Sequence, residues 1–222
     1  ELERRGHRFC RYADDCNIYV QSQAAGARVM ASISAFLERR LRLRVNRAKS
    51  AVAPVQHRQF LGYRLHRDGG LGIAPEAYRR AKARLRAITS RRRGVPLAQV
   101  IAEVNAFTSG WVQYFRHARA QQALAELDQW LRRRLRCFRL KQAKTLAGLR
   151  RFLTRTGVPP PEARKLAGAG CGWWPLANAP QARRAMSQAW FDQQGLKALV
   201  ALYKAVTTTD NRRGARCARP VV

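Results

Sequence analysis

Two adjacent carboxylates, Asp14 and Asp15, lie within residues 8–20, RFCRYADDCNIYV. β-forming residues flank them: Phe9 and Tyr12 before, Ile18, Tyr19 and Val20 after. The pattern predicts a hairpin with the acid pair at or beside its turn. Paired carboxylates suit a hard divalent cation such as Mg²⁺, which takes oxygen ligands and keeps waters for substrate phosphates. Two such ions can clamp the attacking and leaving oxygens of a phosphoryl transfer. Like charges side by side cost energy that a cation offsets. Aspartates also cap turns without any metal, and a bare Asp-Asp pair does so more often than it binds one.

Cations dominate the rest of the chain. The 222 residues carry 44 Lys and Arg against 13 Asp and Glu, a formal net charge of +31. Residues 1–75 carry +8, residues 76–142 carry +12 and residues 143–222 carry +11, so the excess is not confined to a tail. Self-repulsion of that size opposes folding unless a polyanion relieves it, which makes nucleic acid the leading partner. Arg outnumbers Lys 37 to 7. Guanidinium forks suit phosphates and stack on bases, although a GC-rich genome produces the same skew. Arg91-Arg92-Arg93 and Arg132-Arg133-Arg134 are the candidate contacts to a phosphate backbone, the alternative being a solvated basic face. Successive helical residues turn by ~100°, so three arginines in a row cannot all lie under one apolar stripe.

No apolar run approaches the ~18 residues of a membrane span, so no membrane partner is expected. Five cysteines, an odd number without a CxxC pair, fit a reducing compartment better than a disulfide framework. His7, Cys10 and Cys16 match no common zinc spacing.

The elements that would position these groups change character along the chain. Residues 24–44 place Val29, Ile33, Phe36, Leu37 and Leu41 on one helical face, with arginines crowding its C-terminal end. A polar link, residues 46–49, precedes a second strand pair. Its first strand is expected over residues 60–65 and its second over residues 71–73, joined by Arg67-Asp68-Gly69-Gly70. From Pro75 the chain reads as helical over residues 76–92, then along Leu97, Val100, Ile101, Val104 and Phe107. Another stripe follows, Leu124, Leu127, Leu131, Leu135 and Phe138, and then Leu146, Leu149 and Leu153. Pro159-Pro160-Pro161 reads as a break, and Pro180 opens a helix over roughly residues 181–205, with Gly195 a candidate break within it. The spacing of Trp111, Tyr114 and Phe115 favours core over stacking on bases; adjacent Trp173 and Trp174 cannot share one helix face, so one can face outward, with core the preferred reading.

Tyr12-Ala13-Asp14-Asp15 between two strands resembles the palm motif of reverse transcriptases. Asn46-x-x-Lys49-Ser50 is similar to that family's "N-x-x-K-T" element, and Phe60-Leu61-Gly62-Tyr63 resembles its "F-L-G-F" turn. Downstream, Val104-Asn105 and Gly110-Trp111-Val112-Gln113-Tyr114-Phe115 look like the maturase-specific domain of group II intron proteins, with Thr108-Ser109 in place of the usual Leu-Arg. Residues 172–176 and 185–196 resemble the C-terminal region of bacterial members. The matches run in order over residues 8–205.

The resemblance implies an α+β chain: part of a right-hand polymerase palm over residues 1–74, with short antiparallel strands and a helix. An all-α thumb and maturase-specific region follows over residues 75–165, and then a C-terminal helical extension over residues 166–222, disordered after Val206. It implies an RNA-directed DNA polymerase and splicing maturase with Mg²⁺ as cofactor. Its partners would be group II intron RNA, a template–primer duplex, target DNA and deoxynucleoside triphosphates, in a ribonucleoprotein of the bacterial cytoplasm. Asp14 and Asp15 would be the catalytic metal ligands, Asp14 the more direct. Lys49 would sit by the departing pyrophosphate, its alternative being a solvated lysine. Phe60, Leu61 and Gly62 would position the primer end. Arg91, Arg92, Arg93, Arg132, Arg133 and Arg134 would contact RNA. Such a palm needs a further carboxylate upstream, where only Glu1 and Glu3 stand, so the chain is expected to be the C-terminal half of a longer protein. The alternatives are a non-catalytic RNA-binding splicing factor and a generic basic module whose YADD is accidental.

Overall fold

The computed structural model describes residues 1–217, with side chains to residue 208. The chain divides into two compact units, Glu1–Ala74 and Pro75–Val222.

The first unit opens with β1 (Arg8–Tyr12) and β2 (Asp15–Tyr19), antiparallel, with Tyr12 opposite Asp15. Helix α1 (Gln23–Arg40) starts where the Ser22 hydroxyl accepts the Ala25 amide. It ends four residues short of the expected limit, because Arg42 turns to φ +54° and Leu43 N–H bonds back to Leu37 C=O. A meander of β3 (Gln59–Phe60), β4 (Tyr63–Leu65) and β5 (Leu71–Ile73) follows. The single strand expected over residues 60–65 is instead a tight hairpin. Leu61 and Gly62, at φ +52° and +78°, form a two-residue turn between the paired Phe60 and Tyr63. The buried residues of this unit are Gly26, Ser34, Gly72 and Ala74. Nothing larger than serine is fully buried. The apolar face of α1, including Val29, Ile33, Phe36 and Leu37, is only half-buried.

The second unit is all helical. α2 (Pro75–Ile88), α3 (Leu97–Tyr114), α4 (Gln121–Lys141) and α5 (Leu146–Arg155) follow the apolar periods of the sequence. α6 (Pro160–Ala167) corrects the reading of the proline run as a break. Prolines at the first two helical positions lose no intrahelical hydrogen bond, and Ala163, Leu166 and Ala167 supply a buried face. The helix expected over residues 181–205 is three: α8 (Pro180–Ala185), α9 (Gln188–Gln193) and α10 (Leu199–Cys217), preceded by the short α7 (Trp173–Leu176). Ser187 restarts the chain as the N-cap of α9, and Gly195 breaks it again at φ +83°. α10 runs to Cys217, and the last five residues, at the end of the tail expected to be disordered, lie outside those described. The core lies where α10 packs on α3 and α4, and where α2 and α7 pack on α4. Leu124, Leu127, Leu131, Leu135 and Phe138 of α4 are all essentially removed from solvent, as are Val100, Val104, Phe191 and Leu199.

Candidate functional site

The β1–β2 pairing leaves Ala13 and Asp14 as a two-residue loop closed by Tyr12 and Asp15. Ala13 is held at φ +52°, a left-handed conformation that costs a residue with a Cβ roughly 1 kcal/mol. Asp14 and Asp15 are both exposed, and Tyr12 is 64% exposed beside them. Adjacent acids at a turn therefore face solvent without a cationic partner among the described residues. No group of three or more His, Cys, Asp or Glu among the described residues is placed to hold a metal. Two carboxylates supply only part of a divalent-ion shell. Among the described residues, Asp14 and Asp15 are not joined by further ligands at the turn, and His7, Cys10 and Cys16 form no such group.

Asn46 organises the polar link. Its Oδ1 accepts the Lys49 amide at 3.2 Å, and its backbone carbonyl accepts Ser50 N–H at 3.0 Å. The asparagine is thus a local turn-former. The Lys49 side chain is exposed, and its carbonyl accepts a bond from Arg58 Nη2. Phe60, Leu61 and Gly62 form one side of the β3–β4 turn, with Leu61 at its exposed tip. The two elements belong to one unit, and among the described residues the Lys49 side chain forms no hydrogen bond with the aspartates.

The two arginine runs divide between fold and surface. Arg93 donates to the Ile88 carbonyl at 2.7 Å and forms a two-pronged pair with Glu103, at 2.8 and 2.6 Å. It closes the α2–α3 connection, and its hydrogen bond holds the Glu103 carboxyl below the ordinary range. Arg134 donates from Nε to Thr89 Oγ1 at 3.0 Å and from Nη2 to the Arg86 and Thr89 carbonyls. A cation there caps the C-terminal end of α2 and complements its dipole. Arg133 donates from Nε and Nη2 to the Trp174 carbonyl, and its guanidinium lies 4.0 Å from the centre of the Trp174 ring. Arg91 and Arg92 are exposed, and Arg132 is half-buried. Three of the six candidates thus hold helices together. Their partners are carbonyls, the Thr89 hydroxyl, the Trp174 ring and, for Arg93 alone, a carboxylate.

Two polar residues that periodicity did not single out, and one quoted only within a motif, prove central. Asp128, 5% exposed, accepts the Leu199 and Val200 amides at 2.9 and 3.2 Å and so caps α10 from the middle of α4. Burial pushes its carboxyl up, against those two bonds. Asn105 spans to the α9–α10 connection, donating to the Gly195 carbonyl and accepting Lys197 N–H. Arg136, 8% exposed, donates to the Ala177 carbonyl at 2.8 Å. A charged residue inside an apolar stripe was the one available sign of Asp128 and Arg136. Of the aromatic group, Phe115 is buried against Trp111 and Tyr114, while Tyr114 is 50% exposed.

The helical unit therefore combines a tight apolar core with a surface rich in arginine and poor in acid, a composition suited to a polyanion. Residues 78–157, from α2 into the α5–α6 connection, match the family model for the group II intron maturase-specific domain. That match supports a maturase. Among curated proteins, none matches the chain. No helix among the described residues is long and apolar enough to cross a membrane.

Proposed function

We propose that the protein is a group II intron maturase whose helical unit binds the intron RNA and favours its splicing-competent fold. The observation that carries this reading is the maturase-specific match over residues 78–157, lying on the arginine-dense helices α2 to α5. A-form RNA is recognised largely through its shape and backbone, so cation density matters more than particular base contacts. Filter binding to a structured RNA tests it. If ~6–10 phosphates are contacted, log K falls against log salt with a slope of roughly −0.7 to −0.9 per contact. A slope near −2, or equal affinity for duplex DNA of the same length, would refute the reading.

A second reading, RNA-directed DNA synthesis, is favoured by one feature, the exposed Tyr12-Ala13-Asp14-Asp15 turn. In it, Asp14 and Asp15 are this chain's share of a Mg²⁺ site that other carboxylates complete, with Lys49 near the nucleotide and Phe60, Leu61 and Gly62 near the primer end. Mg²⁺ there would stabilise charge on the transferring phosphate. The template–primer duplex, target DNA and deoxynucleoside triphosphates belong to this reading alone. In a chain that holds the rest of such a site, Asp14→Asn abolishes primer extension and leaves RNA affinity intact. Undiminished extension by that variant would remove Asp14 from the chemistry.

A further inference from the structure

Two rows of side chains run along the seam between α2 and α4. Tyr78, Lys82 and Arg86 follow one another at four-residue steps on α2, and Glu126, Trp130 and Arg134 do so on α4. Hydrogen bonds join the helices at both ends of the seam. At one end the Tyr78 hydroxyl donates to the Ala123 carbonyl at 3.3 Å. At the other, Arg134 donates to Thr89 Oγ1 and to the Arg86 carbonyl, both at 3.0 Å. The half-buried Trp130 ring lies between these two ends. Lys82 Nζ is 5.3 Å from the centre of that ring, the Arg86 guanidinium 5.7 Å and the Arg134 guanidinium 5.8 Å. Lys82 Nζ is also 5.2 Å from the centre of the Tyr78 ring.

Three cations therefore gather on one indole. A ring face attracts a cation but carries no net charge, so their mutual repulsion stays in place. Burial lowers the Arg134 guanidinium, and Arg86 acts on it as a further cation. The acid in the α4 row is Glu126, at the Tyr78 end. There it adds to the burial that pushes the Tyr78 hydroxyl up, and it accepts from Gln122 at 3.4 Å. Among the described residues no carboxylate forms an ion pair with Lys82, Arg86 or Arg134. Arg134 is committed to the end of α2, whereas the Lys82 and Arg86 side chains form no hydrogen bond among the described residues.

We propose that Lys82 and Arg86, gathered on Trp130 beside the fixed charge of Arg134, form a binding site for one phosphodiester group of the RNA backbone. Both keep their donors for the phosphate oxygens, the guanidinium as a fork and the ammonium as a point charge. An anion there joins cations that the ring only holds side by side. A nucleobase stacked on Trp130 would displace those cations from the ring, so the geometry favours phosphate over a base. The inference rests on the RNA-binding reading above and gives it a defined contact within residues 78–157.

The test compares wild type with K82Q/R86Q, with the charge-keeping swap K82R/R86K, and with R150Q/R151Q, which removes equal charge from exposed α5 positions. Arg134 and its hydrogen bonds are left in place in all of them. At constant ionic strength, inorganic phosphate replacing chloride is expected to raise the melting temperature of wild type, swap and control. The rise should be about 3–6 °C once phosphate exceeds its Kd roughly tenfold. K82Q/R86Q should lose most of that rise, whatever its melting temperature in chloride. In filter binding to structured RNA it should flatten the salt slope by roughly 0.7–0.9, one phosphate contact, and the swap should keep the wild-type slope. An equal rise in all four proteins, or none in wild type, would overturn the site. Loss of the rise with unchanged RNA affinity would overturn the RNA backbone as its ligand. A wild type that shows the rise but binds structured RNA no tighter than duplex DNA would refute the maturase reading and leave the anion site standing.

Discussion

Changing Arg133 and Arg134 together to Gln separates the two roles that one basic run combines. Arg134 makes three hydrogen bonds to the end of α2, and Arg133 makes two to the Trp174 carbonyl while stacking on its ring. A hydrogen bond from a charged group is worth about 1.5–3 kcal/mol when well placed. Both side chains are only half-buried, each fork shares its bonds, and Gln recovers some of them, so about 2 kcal/mol per residue is the expected loss. Their partners differ, one at α2 and the other at α7, so the losses should add to about 4 kcal/mol. For a helical unit of roughly 150 residues, 1 kcal/mol moves the midpoint by about 2–4 °C, giving a fall of roughly 8–16 °C. Circular dichroism melting at 222 nm measures it. R132Q alone should move the midpoint by less than about 2 °C, since that side chain holds no carbonyl. A double variant that melts within about 2 °C of wild type would refute the assignment of Arg133 and Arg134 to the fold.

Asp128→Ala should cost about 2–3 kcal/mol in chemical denaturation, because two buried α10 amides lose their acceptor, whereas Asp128→Asn, which keeps one acceptor, should cost less than half of that. The acid side of the stability profile should carry two opposed contributions. Glu103, held low by Arg93, stabilises the fold above the ordinary Glu range, and that contribution is lost as pH falls through its lowered folded value. Asp128, pushed up by burial, binds its proton more tightly in the fold, so its effect on stability improves as pH falls from its folded value toward the ordinary Asp range; D128N should erase that rise. Ala13→Gly should stabilise the first unit by roughly 1 kcal/mol in denaturant titration, since glycine adopts φ +52° without the Cβ clash. In hydrogen exchange, amides of β1, β2 and α1 should exchange well before those of α4, because nothing larger than serine is fully buried in the first unit; equal protection would contradict that contrast.

Much of the local order was legible in the residues. The five-residue apolar stripe of α4 is the buried face, the Asp14-Asp15 pair sits at a hairpin turn, and Pro75 starts a helix, because each follows from a period or from a fixed φ that neighbours alone impose. Local signals also misled. The prolines at 159–161 open α6, since a proline in a first turn sacrifices no hydrogen bond. The strand over residues 60–65 folds back at Leu61-Gly62, where β-forming neighbours masked the positive φ values. The resemblance of residues 104–115 to a maturase element lies within the region that the family model matches, residues 78–157.

The sequence by itself determined that this chain is a polycation with an apolar helical core, for charge and period are properties of neighbouring residues. Only the tertiary structure decided which cations are free. Arg93, Arg133 and Arg134 find carbonyls, a carboxylate or a ring on other helices, at separations of 5 to 48 residues along the chain, and Arg91, Arg92 and Arg132 find none of these among the described residues. Asp128 caps a helix that begins 71 residues later. A guanidinium in a run of three looks the same as its neighbours in sequence, and its role is set by which distant carbonyls packing brings within about 3 Å.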